Sequence, residues 1–310
     1  MLAAPLRALG SAAWAVAVCI LEVLRSGVSQ TSCASGMMVR RGQSTWGASL
    51  HDGPTNPRGG PRYGHGLGMC LGECEYLEWD SQFFGLRIAR LTEPRLTSSS
   101  VASARRWCRT HQIDCLYFLA DSDDAETVMI AQVNAFQLVD LRLTLERGLN
   151  GGIEPAPAVR AFQIADAVPL RAIARVSHRD SRFYYDKRFV RQQCDALYEA
   201  WIERSFGGWA DAVLVAEWDG APAGYITCHL AKEVGSIGLF AVAPENQRRG
   251  LGQQLVAAAL EYFRQNGMKQ ATVVTQGRNV GSQRVYQHCG FLTQSIRLWY
   301  HCWFNRDPSA

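Results

Sequence analysis

Apolar positions follow no period over the first seventy residues and become regular after them. Gly36–Gly72 is rich in Gly, Pro, Ser and Arg, the composition of a segment that buries too little to fold. Ahead of it, Ala12–Leu24 reads AAWAVAVCILEVL, an apolar run broken by Glu22 and short for a bilayer. With Arg7 before it, the run resembles the apolar region of a signal peptide, but no clean small-x-small site follows. Residues 1–72 are therefore expected to be a disordered or non-structural leader, dispensable for folding. A true start at Met69 and a targeting segment are the two origins left open for it.

From Glu75 onward the pattern is that of a folded chain. YLEWDSQFFGLRIARL, Tyr76–Leu91, reads as strand-like. The pattern then predicts a helix over Ser99–Thr110, a buried strand over Ile113–Ala120, a helix over Asp124–Asn134 and a strand over Phe136–Glu146. Gly148–Pro157, GLNGGIEPAP, breaks all periodicity and is the expected boundary. Beyond it come a strand at Val159–Ile164 and helices at Asp166–Val176 and about Val190–Ser205. Asp219-Gly220 lies between two apolar runs and predicts a two-residue hairpin. A strand at Ser236–Val242 precedes a helix with an apolar face of Leu251, Leu255, Ala259 and Tyr262, which Gly267 stops. The chain closes with a strand at Ala271–Thr275, a helix at Ser282–Cys289 and a strand at Ser295–Phe304. The interleaving of helices and strands predicts an α/β (α+β) fold, with a module over residues 75–147 and a second domain over residues 158–304.

Composition narrows the function classes. The chain is 47% hydrophobic and 19% charged, as expected of a globular protein with a sizeable core. Its net charge of +4 belongs to the leader, where six arginines face only Glu22 and Asp52. The body is therefore neutral, which argues against nucleic acid as a partner. Cys108, Cys115, Cys228, Cys289 and Cys302 fall inside apolar segments, where thiols act as small hydrophobes. Cys70 and Cys74 lack the second pair that a zinc site needs. No metal, no membrane span and a reducing, cytoplasmic setting are the expectations.

The chemistry concentrates in Asn246–Gln253, NQRRGLGQ. The stretch lies between a buried strand and an amphipathic helix, so its backbone N–H groups are the unpaired donors of a helix N-terminus. Gly250 and Gly252 allow close approach, and Arg248 and Arg249 add positive charge, an arrangement that suits a pyrophosphate. No Lys-Ser/Thr follows the glycines, and the dinucleotide fingerprint needs one more glycine.

Gln247-Arg248-Arg249-Gly250-Leu251-Gly252 resembles the Gln/Arg-x-x-Gly-x-Gly/Ala loop of the GNAT acyltransferases. FAVAPENQ before it resembles the strand and turn of that family through Val242 and Pro244. NVGSQRVYQHCGF after it resembles a third family segment through Asn279, Tyr286, Gly290 and Phe291, with Ser282 in place of the usual Ala. The resemblance implies a mixed, splayed sheet and acetyl-CoA as acetyl donor. It implies cofactor contacts from Leu239, Phe240 and Val242, from Gln247, Arg248, Arg249, Gly250, Leu251, Gly252 and Gln253, and from Asn279 and Tyr286. A backbone N–H near Phe240–Val242 is expected to polarise the thioester carbonyl. The Tyr286 phenol is expected to protonate the departing thiolate, the other reading being a core tyrosine.

LEWDSQFFG (Leu77–Gly85), FQLVDLRLTL (Phe136–Leu145) and the aromatic and acidic residues of Ser181–Ser205 resemble the dTDP-fucosamine acetyltransferase subgroup over roughly Glu75–Phe304. That resemblance implies a nucleotide-linked deoxyamino sugar as acceptor. It also puts Asp140 in the place of a carboxylate that helps deprotonate the amine through water; an ordinary strand carboxylate is the alternative. Trp79, Phe83 and Phe84 either stack on thymine or close a core. Arg182 either pairs with a phosphate or makes a surface salt bridge. The alternatives to a sugar acceptor are a protein, peptide or small amine, and a non-catalytic acyl-CoA-binding module. A homodimer is an open expectation.

Overall fold

The computed structural model describes residues 74–304. The leader expected over residues 1–72 lies outside them. In chain order the elements are β1 (Cys74–Tyr76), α1 (Glu78–Phe84), β2 (Ile88–Leu91), α2 (Ser98–Thr110), β3 (Cys115–Asp121), α3 (Ala125–Val133) and β4 (Gln137–Gly148). They continue with β5 (Val159–Ala161), α4 (Ala167–Ser177), α5 (Arg182–Tyr185), α6 (Arg191–Arg204), β6 (Ala212–Trp218), β7 (Ala221–Ala231) and β8 (Val234–Val242). The last are α7 (Leu251–Gln265), β9 (Gln270–Gln276), α8 (Val280–His288) and β10 (Leu292–Trp303).

All ten strands join one sheet in the order β1-β2-β3-β10-β4-β9-β8-β7-β6-β5. Pairing is parallel between β2 and β3 and between β8 and β9, and antiparallel elsewhere. The segments 75–147 and 158–304 share this sheet, because β4 of the first lies between β10 and β9 of the second. Gly148–Pro157 is thus a connection within one sheet.

Alternation along the strands sorts the helices onto two faces. Leu116, Phe118 and Ala120 pack with Val101, Ala104 and Ile130 of α2 and α3. On the same face, Ile226, Ile237 and Val273 pack with Leu255, Val256 and Phe263 of α7 and Tyr286 of α8. Tyr117, Val215, Tyr225 and Trp299 face the other way, against α1, α4, α5 and α6.

The sequence pattern of Tyr76–Leu91 predicts a strand, and the structure corrects this to strand, helix, strand. Trp79, Phe83 and Phe84 recur at helical spacing and turn toward α6 and the core, which aromatic β-propensity conceals. Gly85 closes α1 at φ 65°, donating to the Ser81 carbonyl. The Ser81 hydroxyl donates to Leu77 O (2.6 Å) and accepts from Ile88 N–H (2.9 Å), fastening the helix to β2. The Asp219-Gly220 hairpin is as expected, with φ 50° and 74° at the two positions.

Phe263 fixes how closely α7 approaches the sheet. A Cβ at Gly235 would fall 2.3 Å from its ring. Gly235→Ala is expected to cost about 1–3 kcal/mol by overpacking, read as a fall in the chemical denaturation midpoint. Phe263→Leu in the same chain should recover part of it.

Candidate active site

The sheet opens where β8 leaves β9. Their parallel pairing runs from Val234↔Gln270 to Ile237↔Val273 and stops. Past that point β8 follows β7 to Val242, and β9 follows β4 to Gln276. A bulge sits at the parting, since Ile226 faces Phe240 while Cys228 faces Ile237. Thr227 therefore stands opposite both Gly238 and Leu239, and its Oγ1 accepts the Leu239 N–H at 2.7 Å. A Cβ at Gly238 would fall 2.7 Å from Thr227 Oγ1 and from His229 Nε2, so this close approach requires glycine. Ala243 N–H donates to Ala223 O at 2.8 Å. Strand alternation then turns the backbone groups of Phe240 and Val242 away from β7, into the opening.

The loop after β8 ends at the start of α7. Gly250 is the N-cap at φ 81°, with no side-chain cap. The first-turn N–H groups of Leu251, Gly252 and Gln253 are therefore left for an external acceptor. The space where a Gly250 Cβ would project is open, whereas one on Gly252 would meet Phe240 Cζ at 3.2 Å and Val285 Cγ2 at 3.6 Å. The two glycines thus differ: Gly250 gives a left-handed, accessible turn, and Gly252 lets α7 approach β8 and α8. Arg248 is itself left-handed, at φ 61°. The Arg249 guanidinium lies 4.8 Å from the Trp218 ring centroid, and Gln247 Nε2 donates to Val242 O at 3.2 Å.

Tyr286 and Asn279 meet in one cavity of ≈ 130 Å³ that passes through the opening. Tyr286 is buried between Phe240 and Phe291, with ring centroids 5.6 and 5.8 Å away. Burial pushes its phenol well above the usual range, with the Cys289 thiol adding to the shift. Asn279 caps α8, its Oδ1 accepting Ser282 N–H at 3.0 Å. The opposite wall of the cavity comes from the other face of the sheet: His178, Asp180, Tyr198, Trp201 and Trp209. His178 stacks on Tyr198 at 4.3 Å and bonds the Tyr225 hydroxyl through Nε2 at 2.8 Å. Burial holds its pKa down at about 4, so its imidazole is neutral at physiological pH.

The other expected residues divide. Trp79 stacks on Phe83 at 5.0 Å and leans on Trp201 at 6.4 Å, so it backs the cavity wall. Phe84 is core, packed on Phe183 and Phe189. Arg182 is neither a surface ion pair nor open to a phosphate. It is buried, with its guanidinium 4.2–4.4 Å from the rings of Trp299, Tyr117 and Phe183. Its positive charge opposes the burial that raises Asp80 to about 6. Asp140 is buried, accepts Leu141 N–H (2.8 Å) and pairs with Arg278 (3.2 Å). Its pKa rises to about 6 by burial, with Arg278 opposing. It stands away from the cavity lining, behind Arg278, which also donates to Val139 O (2.7 Å) and lies 4.2 Å from the Tyr185 ring.

His178, Trp201, Trp209 and Arg278 were not singled out from the sequence. The first three lie just past the end of α4, in α6 and in the turn after it, segments without a motif, and only the folding of the sheet brings them to the opening. No group of three or more His, Cys, Asp or Glu is placed to hold a metal among the described residues. No described helix is long and apolar enough to cross a membrane.

Comparison with known proteins agrees with this geometry. The Acetyltransferase (GNAT) family matches residues 173–291. An uncharacterized N-acetyltransferase of Archaeoglobus fulgidus is 30% identical over 39% of this chain and 86% of its own length. The dTDP-fucosamine acetyltransferase of Escherichia coli O6:H1 is 27% identical over 73% of this chain and 96% of its own. The spore coat polysaccharide biosynthesis protein SpsD of Bacillus subtilis is 25% identical over 46% of this chain. Here the match spans about half of the relative, 49% of its length. Among solved structures, a GCN5-related N-acetyltransferase of Sphaerobacter thermophilus superposes with a TM-score of 0.53 at 11% identity, covering 74% of this chain and 75% of that one. One from Kribbella flavida gives 0.51 at 16% identity, over 77% and 90%. At these identities the structures share the fold alone.

The loop makes a quantitative expectation. Gly250→Asp sets a carboxylate at the uncapped N–H groups and should weaken acetyl-CoA binding at least about fivefold, by a repulsion of roughly 1–4 kcal/mol. Gly250→Asn has the same size and the same tolerance of left-handed backbone, and should lose clearly less. Calorimetric titration of both variants separates charge from backbone strain.

Proposed function

We propose that this chain, which belongs to the GNAT acetyltransferase family, transfers an acetyl group from acetyl-CoA directly to the amine of a nucleotide-linked deoxyamino sugar. The observation that carries this reading is the opening between β8 and β9, with Tyr286 on one side and an aromatic, polar wall on the other. Donor and acceptor can then meet through the sheet from opposite faces. The similarity to dTDP-fucosamine acetyltransferase supports the sugar. It covers 234 residues, too many for the GNAT segment alone, so it takes in the N-terminal module that supplies Trp79.

Acetyl-CoA supplies the activated thioester, and the residues present fit it. The uncapped amides of Leu251–Gln253, with Arg248, suit the pyrophosphate. The outward backbone groups of Phe240 and Val242 suit the pantetheine amides, as an added strand would. Because Leu239 N–H is already committed to Thr227, the Phe240 N–H is the donor left near the bulge to stabilise the oxyanion. Tyr286 keeps its proton, since burial raises its pKa above that of a thiol. It therefore acts mainly by donating a hydrogen bond to the sulfur as charge develops there, and solvent completes the protonation. On the acceptor side, Asp180 supplies a negative charge for the incoming ammonium. Neutral His178, its Nε2 held by the Tyr225 hydroxyl and its pKa held down by burial, is a polar wall group, and solvent takes the amine's proton. Asp140, behind Arg278, reaches the amine only through intervening groups. A reducing, cytoplasmic setting fits seven described cysteines, none of them in a disulfide.

Two measurements test this. Purified protein offered acetyl-CoA with dTDP- and UDP-linked amino sugars, or with peptides, should release CoA thiol with an amino sugar. Release with peptides only overturns the sugar reading. Tyr286→Phe should lower kcat about 10²-fold while leaving acetyl-CoA affinity and Tm unchanged, because the ring stays packed between Phe240 and Phe291. Unchanged kcat would make Tyr286 a packing residue.

A further inference from the structure

Polar side chains without partners cluster on the acceptor side of the opening. Ser236 and His229 lie directly opposite one another on β8 and β7, on the face that carries α4 and α6. Both are more than nine-tenths buried, at 2% and 8% exposure. Ser236 Oγ and His229 Nε2 have no hydrogen-bond partner. Ser236, Gly238, Trp201 and Trp209 all line the cavity, and the buried indole Nε1 of Trp201 is also unpartnered. The Trp209 ring stands edge-on over His229 at 4.5 Å. It projects from a π-helical turn, Ser205–Trp209, that passes through Gly208 at φ 101°.

Leaving such groups unpaired costs about 1–3 kcal/mol each. Ser236 bears that cost on the cavity wall, and His229 bears it immediately behind that wall, its Nε2 2.7 Å from where a Cβ on Gly238 would lie. We infer that Ser236 Oγ and His229 Nε2, beneath the Trp209 ring, bind a ring hydroxyl of the acceptor. This rests on the reading of the chain as an amino-sugar acetyltransferase and assigns residues to it. The chemistry selects the group. Burial keeps His229 neutral, at a pKa of about 4, with Asp211 opposing. In a neutral imidazole Nε2 is one donor or one acceptor according to tautomer, and the Ser236 hydroxyl rotates to supply the other, so the pair offers the one donor and one acceptor that a hydroxyl needs. A carboxylate would enter with no cation in the pair, and an ammonium with no anion. An apolar group would leave both atoms unsatisfied. The indole face beside the pair gives the C–H face of a sugar ring a surface to lie on.

Calorimetry on CoA-saturated protein tests the pair with two probes that differ by one ring hydroxyl, trans-4-aminocyclohexanol and cyclohexylamine. The parent should bind the hydroxylated amine about tenfold more tightly, the worth of one hydrogen bond. Ser236→Ala should abolish that preference without lowering Tm, because no intramolecular hydrogen bond is lost. His229→Gln, which keeps a donor and an acceptor, should retain part of it. No preference in the parent, or a preference that survives Ser236→Ala, overturns the assignment. So does a Ser236→Ala effect that appears only when 3-hydroxybutyryl-CoA replaces acetyl-CoA as donor, since the pair would then serve the acyl chain. The probes carry no nucleotide. Failure of the nucleotide-sugar reading, seen as no turnover of any dTDP- or UDP-amino sugar, is thus distinguishable from failure of this one.

Discussion

Everything at the site depends on β8 parting from β9 after Ile237↔Val273. A parallel pair inside a sheet normally satisfies both backbone edges. Here the pairing ends inside the molecule, and on that edge the Phe240 groups and the Val242 N–H face the opening, while the Val242 carbonyl accepts from Gln247. The parting is held locally by the bulge opposite Thr227, the Thr227–Leu239 hydrogen bond and the glycine at 238. These three features also explain why the opening lies at the middle of the sheet and not at its edge.

The N-terminal segment makes the opening asymmetric. β4 holds β9 in place from the far side, and Arg278, just before the Asn279 cap, is tied to Asp140 and Val139 of that strand. Trp79 of α1 reaches across to Trp201. The uncapped loop before α7 is thus built from local sequence, whereas the aromatic wall across the cavity is assembled from elements far apart in the chain.

That difference sets what could be read from the sequence. The loop Gln247–Gly252 and the Asp219-Gly220 hairpin were legible because turn chemistry is local. Asn279 and Tyr286 stood out only through the family segment they resemble, since the sequence pattern starts that helix at Ser282 and the structure shows Asn279 capping it. The shared sheet was not legible, since the break at Gly148–Pro157 looks like a domain linker whether or not the strands on its two sides later interleave. α1 was read as strand because its aromatics favour strands, and only burial of one helical face decides otherwise. Arg182 and Asp140 show the limit for charges: their types suggested ligand chemistry, but a cage of three rings and an ion pair with Arg278 enclose them. Ser236 and His229 carry no motif at all, and their significance lies in having no partner.

Amide hydrogen exchange, followed residue by residue with and without CoA, tests the role of the opening most directly. The amides of Phe240 and Val242 should exchange rapidly in the free protein and slow by at least about tenfold when CoA is bound. Leu239, already bonded to Thr227, should be protected in both states. Unchanged exchange at Phe240 and Val242, with slowing confined to the loop at Gly250–Gln253, would show that the cofactor's arm does not pair with β8 and would contradict the account.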